Sequence, residues 1–185
     1  MASPNSSLGK YRKTVILRDG SQVLLRPIKP EDEKRLLAFF YRLSERAVYL
    51  RFHQVLPRLP EEEAQRLCNV DYDSSFAMVA TTGDGGDERI ISVGRYYRLP
   101  QKDRAEIAFA VEDTYQGKGI GTHLLQQLAI IAKERGIRLF KAYVLVENPE
   151  MMEVFRDSGF PIEKELAEGV YRIFVDITIP SSSRE

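Results

Sequence analysis

The chain has 185 residues, 43% hydrophobic and 29% charged, and its 27 basic and 27 acidic side chains cancel to a net charge of zero. This indicates one globular domain with a sizeable core, and the neutral balance argues against a nucleic-acid-binding module, which is normally basic. One cysteine, Cys68, excludes an intramolecular disulfide and favours a reducing compartment. No segment approaches the ~18 apolar residues of a membrane span, so we expect no membrane partner and a cytoplasmic location.

The first half of the chain predicts a β-hairpin, three helices and a second hairpin. Asp19-Gly20 separates two β-rich runs, as in a tight hairpin turn. Pro30 and Pro60 are each followed by acidic residues, which suits the first turn of a helix. The predicted elements are strands 14–17 and 22–26, helices beginning at Pro30, Ser44 and Pro60, and strands 76–82 and 89–97.

The second half predicts strands that alternate with helices. Apolar residues recur at helical spacing after Gly119, and Gly136 and Gly159 each end a helix. The predicted elements are strands 105–111, 140–146, 162–166 and 171–177, and helices 119–135 and 149–158. A helix that crosses from strand 105–111 to strand 140–146 makes them a parallel pair. We therefore expect one domain over residues 13–179, with flexible segments at 1–12 and 180–185.

Glycines at alternate positions follow strand 105–111, in the segment Gln116–Gly121. Such a turn exposes backbone N–H groups at a helix N-terminus and suits a diphosphate. A P-loop is excluded because Gly119 stands where Ser or Thr is needed, and the dinucleotide fingerprint fails because Thr122 replaces its last glycine. A loop that merely joins a strand to a helix stays an alternative.

The segment Gln116–Gly121 matches the pattern Gln/Arg-x-x-Gly-x-Gly/Ala and resembles the acyl-CoA loop of the GNAT family, the GCN5-related N-acetyltransferases. Residues Val144–Phe160 are similar to the family's later block of strand, Asn, helix and Gly-Phe. The order of elements over residues 14–178 also resembles this family. The resemblance implies a GNAT fold of the α/β (α+β) class, with a central mixed, mostly antiparallel twisted sheet flanked by helices. It also implies acetyl transfer from acetyl-CoA to an amine.

The resemblance implies a set of acetyl-CoA contacts. These are Phe109, Val111, Gln116, Gly117, Lys118, Gly119, Ile120, Gly121, Thr122, Asn148 and Phe155. Asn148 also suits the N-cap of the helix that begins at Pro149. Phe155 stands where the family commonly has the tyrosine that protonates the departing thiolate. This difference from the family implies that Phe155 has a packing role. The thiolate then leaves unassisted or takes a proton from water.

Glu106 is the candidate catalytic residue. It precedes an otherwise apolar strand segment and shares a face with Ala108 and Ala110. Two interpretations stay open: a strand-end glutamate paired with Arg or Lys, or the general base that deprotonates the acceptor amine. An acid at this position often serves as base in the family the chain resembles. Glu112 and Asp113 fall in the turn, where we expect them to be solvated.

Three segments resemble the GNAT domain of bacterial Pat-type protein lysine acetyltransferases, which modify a lysine in acyl-CoA synthetases. They are Ser44–Phe52, Val93–Tyr96 and Ala105–Phe109. The resemblance implies a protein lysine as acceptor. A small-molecule amine acetyltransferase and a non-catalytic acyl-CoA-binding module stay as alternatives.

Several arginines lie in or near the predicted helices of the first half. They form either a solvated helix face or a docking surface for an acidic protein, and they are Arg42, Arg46, Arg51 and Arg58. The sequence has no His-x-x-x-His pattern and no paired cysteines, so we predict no metal.

Overall fold

The computed structural model describes residues 8–180 of the chain. In this part of the chain, eight strands form one sheet and five α-helices accompany it. The strands are β1 (Lys13–Ile16), β2 (Gln22–Pro27), β3 (Ser75–Thr82), β4 (Arg89–Arg98), β5 (Arg104–Val111), β6 (Leu139–Leu145), β7 (Ile162–Ala167) and β8 (Val170–Asp176). The helices are α1 (Glu33–Arg42), α2 (Glu45–Phe52), α3 (Glu61–Cys68), α4 (Ile120–Glu134) and α5 (Pro149–Asp157).

The sheet has the order β1-β2-β3-β4-β5-β6-β8-β7. Its neighbouring strands are antiparallel except β5 and β6, which are parallel because α4 crosses between them. The predicted fold class, a mixed and mostly antiparallel sheet flanked by helices, is confirmed.

Apolar side chains on the two faces of the sheet form two cores. The larger core contains the buried face of α4, including Leu124 and Leu128, together with Ile107 and Phe109 of β5. The smaller core joins α1, α2 and α3 to the opposite face through residues such as Phe39 and Val79. Because side chains alternate along a strand, β5 contributes to both cores. Cys68 belongs to the smaller core and is fully buried, as expected of a structural thiol.

The N-terminal residues differ from the sequence-based expectation. Residues 8–12 were expected to be flexible, but Leu8–Tyr11 is a 3₁₀ turn with Leu8 and Tyr11 buried in the larger core. The Tyr11 hydroxyl donates to Glu134 at the end of α4, which fixes the turn. Residues 1–7 and 181–185, the remainder of the two expected flexible segments apart from Pro180, lie outside the described residues.

Candidate functional site

A wedge opens between the two parallel strands at the centre of the sheet. β5 and β6 pair only from Arg104 with Leu139 to Glu106 with Lys141. Beyond Glu106 the strands diverge, and Ile107–Phe109 and Ala142–Val144 line a cavity between them. Backbone groups on this edge of β5 therefore face a cleft instead of a neighbouring strand, and Glu106 lies at the last paired position before the cleft.

The glycine loop is next to this wedge, at the N-terminus of α4. Gly117 and Gly119 have φ angles of +73° and +91°, which explains why glycine occupies both positions. Gly119 is the N-cap residue and has no side chain to cap the helix. The first-turn N–H groups of α4 have no carbonyl one turn earlier within the helix to bond. Together with the helix dipole, they form a cradle that fits a diphosphate.

The turn between β1 and β2 supports this cradle. The Arg18 backbone N–H donates to the Lys118 carbonyl at 3.1 Å, and its Nη1 donates to the Gly117 carbonyl at 3.3 Å. Because C=O and N–H point in opposite directions in a trans peptide, the N–H groups of Lys118 and Gly119 face away from Arg18. The Arg18 Nη2 also pairs with Asp157 of α5 at 2.6 Å. The sequence-based analysis missed Arg18 as part of the site.

Most of the expected acetyl-CoA contacts line one cleft. The expected residues in its lining are Phe109, Val111, Gln116, Gly117, Gly119, Ile120, Gly121, Thr122 and Asn148. Arg18, Arg51 of α2 and Tyr115 also line the cleft. Arg51 and Tyr115 are further lining residues that the sequence-based analysis did not assign to the ligand.

Two of the expected contacts lie outside this lining. Lys118 of the glycine loop pairs with Asp19 at 2.9 Å and lies over the Tyr115 ring, at 5.0 Å from its centroid. Phe155 is buried, lines the cavity in the wedge and packs edge-on against Phe109, with ring centroids 6.2 Å apart. Phe155 has no proton to donate, so its role here is packing beneath the wedge.

Asn148 and Gly121 join α5 to the site. The Asn148 side chain accepts from the Met151 backbone N–H at 3.1 Å and so caps α5, while the residue also lines the cleft. A Cβ on Gly121 would lie 2.8 Å from Val154 Cγ2, which is closer than real contacts allow. The last glycine of the loop pattern is therefore needed for the close packing of α4 on α5, and its own φ is not positive.

Glu106 is exposed on the face of the sheet opposite α4. Its cross-strand neighbours are Tyr97 of β4 and Lys141 of β6, and Tyr97 and Tyr143 nearby are 38% and 40% exposed. None of the ion pairs within residues 8–180 involves Glu106, and the Lys141 ammonium lies over the Tyr143 ring at 4.9 Å. The alternative of a strand-end glutamate held by a basic partner therefore finds no support in the described structure.

The expectation that Glu112 and Asp113 are solvated is wrong for Glu112, which is only 6% exposed. Its carboxylate pairs with Arg42 Nε at 3.0 Å and Arg89 Nη2 at 2.6 Å. Asp113 accepts from the Ser44 backbone N–H at 2.9 Å and hydroxyl at 2.5 Å, at the N-cap of α2. These contacts attach α1 and α2 to the start of the glycine loop, so Arg42 is a structural residue and not part of a free docking face.

Within residues 8–180, no group of three or more His, Cys, Asp or Glu side chains is arranged to hold a metal ion. In the same part of the chain, every helix is too short or too polar to cross a membrane.

Comparison with known proteins agrees with this geometry. The model of the family described as "Acetyltransferase (GNAT) family" matches residues 38–160, more than half of the chain. Acetyltransferase PA5475 of Pseudomonas aeruginosa is 30% identical over 144 residues, which cover 78% of this chain and 77% of that protein. Acetyltransferase Pat of Mycolicibacterium smegmatis is 36% identical over 147 residues, but these cover only 43% of its length.

A solved structure is similar over almost its whole length. The crystal structure of the GNAT domain of S. lividans PAT superimposes with a TM-score of 0.82 at 35% sequence identity. The match covers 90% of this chain and 97% of that domain. The β1–β2 turn that contacts the glycine loop lies before the residues that match the family model.

Proposed function

The chain belongs to the GNAT acetyltransferase family and is an acyl-CoA-dependent N-acetyltransferase, and we propose that its acceptor is the side-chain amine of a lysine in a folded protein. The observation that carries the proposal is the open surroundings of Glu106. A small amine is normally held in a closed pocket, whereas Glu106 is exposed between the exposed rings of Tyr97 and Tyr143. A lysine that projects from a protein surface can reach it there. The Pat-like segments of the sequence support the same class of acceptor.

We assign the diphosphate of acetyl-CoA to the glycine loop and the pantetheine arm to the wedge. The loop offers N–H donors at the start of α4, and the diverging edge of β5 offers backbone groups without a strand partner. The cleft connects the two, because Phe109 and Val111 line it together with Gly117 and Gly119. In this arrangement the thioester lies near the point where β5 and β6 separate, beside Glu106.

Glu106 acts as the general base in this proposal. A lysine amine titrates near ~10.4, so at neutral pH it must lose a proton before it attacks. Glu106 takes the proton of the lysine ammonium and releases it to solvent. The neutral amine nitrogen then bonds to the thioester carbonyl carbon, the carbon–sulfur bond breaks as CoA leaves as a thiolate, and the second nitrogen proton passes to the Glu106 carboxylate. The departing thiol has a pKa near ~8.5, so its thiolate can leave without an acid. This is consistent with Phe155 at the position of the family's tyrosine.

The test is acetyl-CoA turnover against a panel that contains folded proteins, an acyl-CoA synthetase among them, and free small amines. Intact-mass measurement and peptide mapping identify the acetylated product. A reaction without enzyme measures chemical acetylation, and Glu106→Gln is the control for catalysis. We expect acetylation of specific lysines in one or a few proteins, at a rate well above both controls. Robust acetylation of a small amine, with no protein labelled above background, would contradict the proposed acceptor.

A further inference from the structure

Arg51 carries an unpaired charge at the junction of the site. It lies near the end of α2 and lines the cleft, the cavity in the wedge and a third cavity beneath α1 and α3. Its side chain is partly buried, and its guanidinium lies over the Phe52 ring, 4.9 Å from the centroid. Within residues 8–180 no hydrogen bond or ion pair to this guanidinium is found.

Neighbouring arginines contrast with Arg51, because each is bonded within the protein. Arg42 pairs with Glu112, Arg46 donates to the Glu147 carbonyl at 2.9 Å, and Arg95 donates to the Leu67 carbonyl and the Tyr97 hydroxyl. Burial, and then the positive charge of Arg95, lower the pKa of Arg51 to about 10, so it remains a cation at neutral pH. A partly buried cation without a hydrogen-bonded counter-charge is unfavourable. A ligand that brings an anion would therefore bind there favourably.

The position of Arg51 relative to Glu106 indicates which substrate brings the anion. The Glu106 carboxylate is among the charges that act on the Arg51 side chain, after burial and Arg95. Ala110, on the same face of β5 as Glu106, lines two of the cavities that Arg51 lines. The acetyl group carries no charge, and the proposed function places the diphosphate at the glycine loop, so an anion that reaches Arg51 beside Glu106 belongs to the acceptor.

We propose that Arg51 binds a carboxylate that the acceptor carries close to its reacting amine. This rests on the proposed function and narrows its substrate class. Guanidinium and carboxylate form paired, charge-assisted hydrogen bonds, which explains why an arginine would be kept free at this position. The carboxylate has two possible sources: an Asp or Glu beside the target lysine of a protein, or the α-carboxylate of a free amino acid. The open site favours the first source.

The experiment compares acceptors that differ only in this charge. One pair consists of N-acetylated peptides with a single lysine and either Glu or Gln next to it, and the other pair is free lysine and lysinamide. The enzymes are wild type, Arg51→Gln, Arg51→Lys and Arg58→Gln. Arg58 is a matched control, because it is exposed on the connection between α2 and α3 and lines none of the three cavities. Mass spectrometry of the acetylated product measures kcat/KM.

For wild type and Arg58→Gln we expect kcat/KM to be about tenfold or more higher for the acceptor with the carboxylate. This ratio should fall close to one in Arg51→Gln and be intermediate in Arg51→Lys. A preference within the peptide pair assigns the source to an acidic side chain, and a preference confined to free lysine assigns it to an α-carboxylate. Should Arg51→Gln not fold, Arg51→Lys decides: a preference smaller than that of the wild type supports the inference, and an undiminished preference overturns it.

Four results would overturn the inference. Equal rates within both pairs would show that the enzyme recognises no carboxylate on the acceptor, but they would leave the proposed function intact. A preference that persists in Arg51→Gln would show that a group other than Arg51 recognises the carboxylate. A wild-type preference for succinyl-CoA over acetyl-CoA that Arg51→Gln abolishes would assign the cation to the acyl group. Failure of the wild type to acetylate any amine would refute the proposed function as well.

Discussion

Gly119 allows the diphosphate site to be tested with two substitutions that differ only in charge. Its φ of +91° strains any side chain, but Asn and Asp tolerate positive φ better than other residues. The nearest atoms to a Cβ there are Arg18 Nε at 3.6 Å and Cγ at 3.8 Å, so there is room for either side chain. Gly119→Asn and Gly119→Asp therefore share the backbone strain, and only Gly119→Asp adds a negative charge beside the cradle.

The expected difference follows from Coulomb's law. At a separation of about 5 Å and an effective dielectric constant of about 20 to 40, one pair of like charges costs about 2 to 3 kcal/mol, or roughly 30- to 150-fold in Kd. Isothermal titration calorimetry with acetyl-CoA measures both variants, with circular dichroism as the control for folding. The ratio should shrink at high salt, and equal Kd values for the two folded variants would refute the assignment of the loop.

Three further predictions concern the surroundings of the site. Arg18→Gln should weaken acetyl-CoA binding about tenfold, because a charge-assisted bond at the cradle is lost; an unchanged Kd would exclude Arg18 from the site. Gly121→Ala should lower the free energy of unfolding, measured by urea denaturation, by about 1 to 3 kcal/mol because the methyl group overlaps Val154. Adding Val154→Ala should restore part of the loss. A Gly121→Ala protein as stable as wild type would contradict the packing described. Burial raises the pKa of the Cys68 thiol to about 11. A disulfide reagent at pH 8 should therefore modify Cys68 in urea but not in the native protein. Rapid labelling of the native protein would show that the smaller core opens.

Local signals in the sequence were sufficient to predict the order of the elements. Asp19-Gly20, the prolines before α1 and α3, and Gly136 each mark a boundary through their own backbone preferences. The glycines of Gln116–Gly121 permit a left-handed backbone, and Gly117 and Gly119 adopt it.

Contacts between distant parts of the chain were not predictable in this way. Arg18 reaches Gly117 across 99 residues of sequence, and Glu112 meets Arg42 across 70. Pairing of this kind depends on how the sheet brings strands together, so Glu112 looked like a solvated turn residue. The role of Gly121 was missed for the same reason, because the need for glycine there comes from Val154 on another helix. The 3₁₀ turn at Leu8–Tyr11 is too short for its apolar residues to show a periodicity.

Single-turnover kinetics test our proposal that acetyl transfer takes place beside Glu106, where β5 and β6 separate. Enzyme saturated with acetyl-CoA is mixed with an acceptor identified in the panel, and quenched samples measure the first turnover for wild type and Glu106→Gln. Loss of a general base commonly costs ~10²–10⁴ in rate. We therefore expect the chemical step of Glu106→Gln to slow by about that factor, while its Kd for acetyl-CoA stays within a few-fold of wild type. A first turnover of Glu106→Gln within a few-fold of wild type across neutral pH would contradict the account.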